Sequence, residues 1–170
     1  SAVAGVLLML ATDCLSWRDA ARALSTQVIL IVVASLALGT ALLETGAADY
    51  LARLFVAATA GASPGALLSG LMLLMALMTN IVSNNAAALI GTPIAIGIAR
   101  RLGLPEEAFV LAVLFGANMS YATPIAYKTN LLVMSAGGYR FSDFLRIGIP
   151  LTLIMWAVFS WLLPVLYDLH

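Results

Sequence analysis

Thr79-Asn80-Ile81-Val82-Ser83-Asn84-Asn85 concentrates hydroxyls and amides in a chain that is 63% hydrophobic and only 9% charged. Those groups suit two kinds of ion. A helix ending just before the run presents carbonyls without helical partners, and these suit a cation such as Na⁺. Side-chain oxygens of Thr79 and Asn84 would complete a hard-ion shell. A helix starting just after the run presents unpaired N–H groups and the positive end of its dipole, which favour an anion. Asn84 and Asn85 can cap that helix, and Ser83 adds a hydroxyl. One tip thus offers an anion pole beside a cation pole.

A second polar run at 120–130 repeats the pattern. A half helix over 107–118 would end in free carbonyls, and Pro124 then removes a backbone donor. Thr129 and Asn130 can cap the helix that continues over 131–136. Lys128 is the one charge placed near the bilayer midplane, where an ionisable residue is a functional hypothesis by default.

The elements that must position these residues follow from hydrophobic lengths. Segments 67–78 and 86–99 flank the first run, and each predicts a helix of roughly 20 Å against a hydrocarbon core of about 30 Å. Polar, non-helical backbone at membrane depth is tolerated only where it is buried in protein or lines a cavity. The pair therefore reads as a re-entrant helical hairpin over 66–99. Segment 3–11 reads as the tail of a truncated crossing, 12–25 as a polar connector, and 26–43 as a crossing helix. Segment 48–60 carries Asp49 and Arg53 four apart on one face, with Leu51, Leu54 and Phe55 on another. It is too short to cross and is placed flat on the membrane surface. Residues 61–65 form a turn, 100–107 a loop and 137–143 a connector. Segment 145–163 is a last crossing helix.

Mean hydropathy of +1.06 and this patterning define an all-α, polytopic membrane protein. A net charge of zero gives no footing for nucleic acid, and the single Cys14 excludes an internal disulfide. The chain opens on Ser1 with no charged region ahead of its first apolar run, unlike a signal peptide. It reads as a fragment of a larger transporter. The expected divisions are 1–60 (scaffold helices and interfacial arm), 61–137 (hairpin and broken helix carrying the site) and 138–170. Arg18, Arg22, Arg140 and Arg146 fall on one side of this topology and Arg53, Arg100 and Arg101 on the other, which slightly favours the first as cytoplasmic. An intramembrane enzyme is disfavoured. Ser83 lacks a histidine partner, because His170 ends the chain, and the aspartates lie in connectors, in the surface helix or at the chain end. Met72, Met75 and Met78 form a packing stripe, and Ala86, Ala87, Ala88 and Gly91 permit close helix approach. Asn and Ser at these breaks can alternatively act as interhelical glue, and Lys128 can snorkel to the interface.

These motifs resemble those of the divalent anion:sodium symporter family, the sulfate and di- and tricarboxylate carriers. The likeness covers nearly the whole chain, as the second of that family's two inverted repeats. The family's Ser-Asn-Thr hairpin signature stands here as Ser83-Asn84-Asn85, preceded by Thr79. Its helix-breaking loop stands as Thr123-Pro124-Ile125-Ala126-Tyr127-Lys128-Thr129-Asn130. The resemblance implies Na⁺ held by the side chains of Thr79 and Asn84 with backbone oxygens of Val82 and Ala126. It implies that Ser83, Asn84 and Asn85 face a carboxylate or sulfate. Tyr127 and Lys128, followed by Thr129 and Asn130, would line the opposite wall. The function implied is Na⁺-coupled transport of sulfate or a small dicarboxylate by alternating access, with no organic cofactor. A proton-coupled or uncoupled anion carrier or channel of the same fold is the alternative. Implied partners are the lipid bilayer (a bacterial inner membrane), the first repeat of the same parent protein and a second copy in a homodimer. Segment 137–144 further resembles bacterial and algal members linked to sulfate uptake. Two positions depart from the pattern: Asn85 replaces threonine, and Lys128 stands where an uncharged residue is expected. A cation at Lys128 would attract a divalent anion. It would also oppose Na⁺ by roughly 4 kcal/mol for unit charges about 4 Å apart at an effective dielectric of about 20.

Overall fold

The computed structural model describes residues 2–12, 14–19, 26–59 and 61–169, and all regular structure among them is helical. The helices are α1 (Ala2–Ala11), α2 (Thr26–Glu44), α3 (Ala47–Ala58), α4 (Pro64–Thr79), α5 (Asn84–Leu102), α6 (Glu106–Asn118), α7 (Lys128–Gly137) and α8 (Phe141–Leu166), with a 3₁₀ turn at Pro124–Ala126. Asp13, Arg22 and His170 lie outside the described residues. The chain divides into two compact units, Ser1–Leu36 and Ala37–His170. The first holds α1 and the start of α2, and the described side chains of α1 are mostly exposed. The second holds both polar breaks and the core.

That core is built around α4, which packs against α5, α6 and α8. Leu68, Leu71, Met72 and Met75 of α4 are buried with Ile98 of α5, Phe109 and Val113 of α6, and Leu163 of α8. The methionine stripe is indeed packing. Small residues set the spacing. A Cβ on Gly116 would stand 2.5 Å from the Met72 carbonyl oxygen, and one on Gly91 would meet the Met75 sulfur and Val113. The α4–α8 seam is pinned by polar groups. Trp156 Nε1 donates to the Ser69 carbonyl at 3.0 Å, and the hydroxyls of Ser69 and Ser160 are 2.6 Å apart. Phe115 of α6 stacks on Phe159 of α8 with ring centroids 4.1 Å apart.

Both hairpin helices start the same way. Ser63 and Ser83 hold extended backbone, and each side chain accepts the N–H three residues on, from Ala66 and Ala86. Pro64 sits at the first helical position of α4, where its missing N–H costs nothing. The second hairpin helix runs further than its apolar pattern predicts. Arg100 and Arg101 belong to its last turn, and Gly103 ends it at φ 66°. At 19 residues α5 is about 28 Å long, so only its apolar part is short against a bilayer. The expected loop at 100–107 contracts to Gly103, Leu104 and Pro105, and α8 begins at Phe141 inside the expected connector. Among the described residues one helix, α8, is long and apolar enough to cross a membrane.

Candidate functional site

The two polar breaks meet. Thr79, the last residue of α4, is fully buried, and its hydroxyl lies 2.8 Å from Asn84 Oδ1 and 2.7 Å from the Ala117 carbonyl oxygen of α6. One hydroxyl proton serves one of these acceptors at a time. Three oxygens therefore converge around a single hydrogen, an electron-rich arrangement. Asn84 Nδ2 donates to the Ser120 hydroxyl at 3.2 Å, tying the hairpin tip to the second break from the other side.

The hairpin cap falls on a different residue from the one expected. Ser83 is the N-cap of α5, accepting the Ala86 N–H at 3.3 Å, while Asn84 and Asn85 are the first two helical residues. Asn84 turns inward to Thr79 and Ser120, whereas Ser83 and Asn85 are exposed. The exposed pair stands at the positive end of α5, with the N–H groups of its first turn.

The second break has its own network. Met119 closes α6 and is buried, Ser120 is 6% exposed, and the chain then passes through the 3₁₀ turn to α7. The helix expected from 131 already starts at Lys128, with Tyr127 as N-cap and no side-chain capping bond. Thr129 and Asn130 therefore do not cap it. Asn130 instead reaches back, its Nδ2 donating to the carbonyls of Ser120 at 2.8 Å and Thr123 at 3.2 Å. Tyr127, Lys128 and Thr129 are exposed. Among the described residues no hydrogen bond links them to Ser83 or Asn85.

The carbonyls expected to be free at the ends of α4 and α6 are largely engaged. Asn80 Nδ2 takes those of Ala76 and Met119, and Thr79 takes that of Ala117. Backbone N–H groups of Asn80 and Ile81 take those of Leu77 and Met78. Among the described residues no turn, cap or side-chain hydrogen bond ends on the carbonyls of Val82 or Ala126.

The citrate transporter family model matches residues 1–169 of the chain. The chain belongs to the citrate transporter family. This agrees with the likeness to divalent anion:sodium symporters carried by its two motifs. An uncharacterized transporter of Synechocystis is 39% identical over 98% of the chain, which covers 27% of that protein. Sodium/sulfate cotransporter 1 of Chlamydomonas reinhardtii is 31% identical over 95% of the chain, which covers 18% of that protein. An uncharacterized transporter of Escherichia coli is 29% identical over 98% of the chain. The chain thus spans about a quarter or less of the length of these curated relatives. The family is one of integral membrane transporters and not of enzymes.

In this citrate transporter family chain the sequence patterns miss Asn80, Ala117, Ser120 and Thr123 as structural partners of the tip. Asn80, Ser120 and Thr123 lie within the two polar runs, so position flags them while their roles depend on which loop faces which.

An ionic cluster joins the arm to the hairpin. Asp49 of α3 pairs with Arg53 at 2.6 Å and with Arg101 of α5 at 3.3 Å, and Arg100 pairs with Glu106 at 2.8 Å. The hydrogen bond from Arg53 holds the Asp49 carboxyl below the usual carboxylate range, aided by the charges of Arg53 and Arg101. Glu106 likewise raises Arg100.

Proposed function

We propose that this chain supplies half of the transport site of a secondary carrier that moves a divalent anion, sulfate or a small dicarboxylate, with Na⁺. The observation that carries the reading is the convergence of Thr79 Oγ1, Asn84 Oδ1 and the Ala117 carbonyl around one proton. A hard cation is the ligand that such an oxygen cluster favours. The side chains of Thr79 and Asn84, with the carbonyls of Val82 and Ala126, would hold Na⁺. The anion would lie against exposed Ser83 and Asn85 at the positive end of α5, with Asn84 behind them. Tyr127, Lys128, Thr129 and Asn130 would form the facing wall, although Asn130 is already engaged with the loop. The hairpin would be re-entrant, and the hairpin with its broken partner would move as a unit against scaffold helices. The arm α3 would join the two parts. The rest of the site would come from a first, inverted repeat of the parent protein, and the functional form would be a dimer.

The names of the Chlamydomonas relatives support sulfate and Na⁺, and the family description supports a carboxylate. The test uses the full-length parent protein in proteoliposomes. Uptake of labelled sulfate, succinate and citrate is followed with and without an inward Na⁺ gradient. The expected result is Na⁺-driven accumulation of one of the three. Accumulation driven by a proton gradient alone would replace Na⁺ in this scheme, and no uptake of any would defeat it.

A further inference from the structure

Asn80 uses every hydrogen-bonding position of its side-chain amide. Nδ2 donates to the carbonyls of Ala76 at 2.7 Å and Met119 at 2.9 Å. Oδ1 accepts the backbone N–H groups of Ala122 at 3.0 Å and Thr123 at 3.2 Å. The Asn80 backbone carbonyl in turn accepts the Thr123 hydroxyl at 2.8 Å. Two donors and two lone pairs are thereby saturated. Carbonyls stand on one side and N–H groups on the other, so the amide has a single consistent orientation.

The partners belong to two separate pieces of chain. Ala76 is on α4, whereas Met119, Ala122 and Thr123 form the loop that leaves α6. None of those loop groups is paired within a helix; Asn130 braces the loop from α7, and Asn80 is the side chain that ties its Met119, Ala122 and Thr123 backbone groups to the end of α4. Near relatives in size or polarity do not reproduce these bonds. Aspartate would lose both donors and set a charge against two carbonyls. Leucine would leave four polar groups without a partner, and glutamine would carry the amide one methylene too far.

We propose that Asn80 is a positioning residue that keys the hairpin tip to the second break. It keeps the oxygens of Thr79 and Asn84 in register with the loop that carries Ala126 and Tyr127. The inference rests on the transport reading above and adds to it a residue that touches neither ion nor anion. Because both ligands would bind across the two breaks, loosening the clamp weakens both together. Movement of the loaded carrier depends on other contacts and is spared.

The experiment takes the full-length parent protein with Asn80→Leu, Asn80→Asp and Thr123→Val, the last removing only one bond of the clamp. Uptake of labelled sulfate, succinate and citrate in proteoliposomes is normalised to folded transporter measured by size exclusion. For Asn80→Leu and Asn80→Asp, the KM for the anion and the half-saturating Na⁺ should both rise about tenfold or more, with Vmax per folded transporter little changed. Thr123→Val should shift both in the same direction by less. Unchanged KM and Na⁺ dependence, with only less folded protein, would overturn the proposal. If the Asn80 variants do not fold, Thr123→Val decides between these outcomes. If the unsubstituted protein accumulates none of the three anions, the transport reading has failed on its own. Amide exchange at Ala122 and Thr123 then tests the clamp: faster exchange in Thr123→Val sustains it, and unchanged exchange ends it.

Discussion

Thr79 shows how much one buried hydroxyl can be asked to do. Replacing it with valine keeps the volume but strands the Ala117 carbonyl and Asn84 Oδ1. We expect a stability loss of about 1–3 kcal/mol, read by thermal unfolding in detergent. We also expect a rise in half-saturating Na⁺ far larger than any change in the anion's KM. Equal changes in the two would point to lost register between the two breaks and not to loss of a Na⁺ ligand. Ser83→Ala tests the cap: loss of the bond to Ala86 should cost about 1 kcal/mol. A larger loss of anion affinity would show the hydroxyl contacting substrate as well. Lys128→Gln tests the odd charge, which stands exposed at the positive end of α7, where a cation is unfavourable. Unaltered anion preference and ion stoichiometry in transport assays would remove Lys128 from the site. Polarity and spacing made Thr79 and Asn84 legible in the sequence. Which of three adjacent capping residues would cap was not legible, because Ser83, Asn84 and Asn85 are all good caps. Backbone angles chose Ser83 and freed Asn84 to turn inward.

Among the elements, the two helices flanking the first break were read to within a few residues at all but the far end of α5, because the polar break interrupts a long apolar run. The length of α5 was underread. Arginines normally mark a boundary with water, yet here they occupy the last helical turn, where they suit the negative dipole end. The seams between elements are made by glycines. Gly116→Val should overpack the α4–α6 seam and cost about 1–3 kcal/mol, whereas Gly39→Ala on α2 meets nothing within 4 Å and should be tolerated. Gly148 is the sharpest case. A Cβ there would run into the Tyr121 carbonyl and stand 2.6 Å from Ala122 Cα, so α8 backs directly onto the second break. Gly148→Ala should therefore disturb the site from outside it. Thermal unfolding of purified variants ranks all three.

For the second unit as a whole, the salient link is Asp49, which bridges its own helix and the hairpin through Arg53 and Arg101. Its carboxyl is depressed, so the contribution is complete above its ordinary value of 3.8 and is lost as pH falls through the lower folded value. The groups are exposed, so salt screens them and the global effect is small. The expected outcome is local. Asp49→Asn at neutral pH should lower the amide protection factors of α3 while leaving those of α4 and α6 unchanged, and strongly acidic pH should lower the α3 protection factors of the unsubstituted protein once the slower intrinsic exchange in acid is divided out. Slowed translocation in the Asp49→Asn variant would tie the arm to the transport cycle; unchanged rates would leave it a surface contact.

Local rules alone determined the helical class, the membrane setting and the positions of both breaks, because hydrophobic length, helix breakers and polar runs act within a few residues of themselves. The tertiary structure decided which groups at those breaks remain available. Asn80 and Asn130 consume loop and helix-end carbonyls that the sequence presents as open, while Thr79, Asn84 and Ala117 are left crowded around one proton. Hydrogen bonds between residues some forty positions apart follow from how α4 and α6 pack through Gly116, and no periodicity in the chain records that packing.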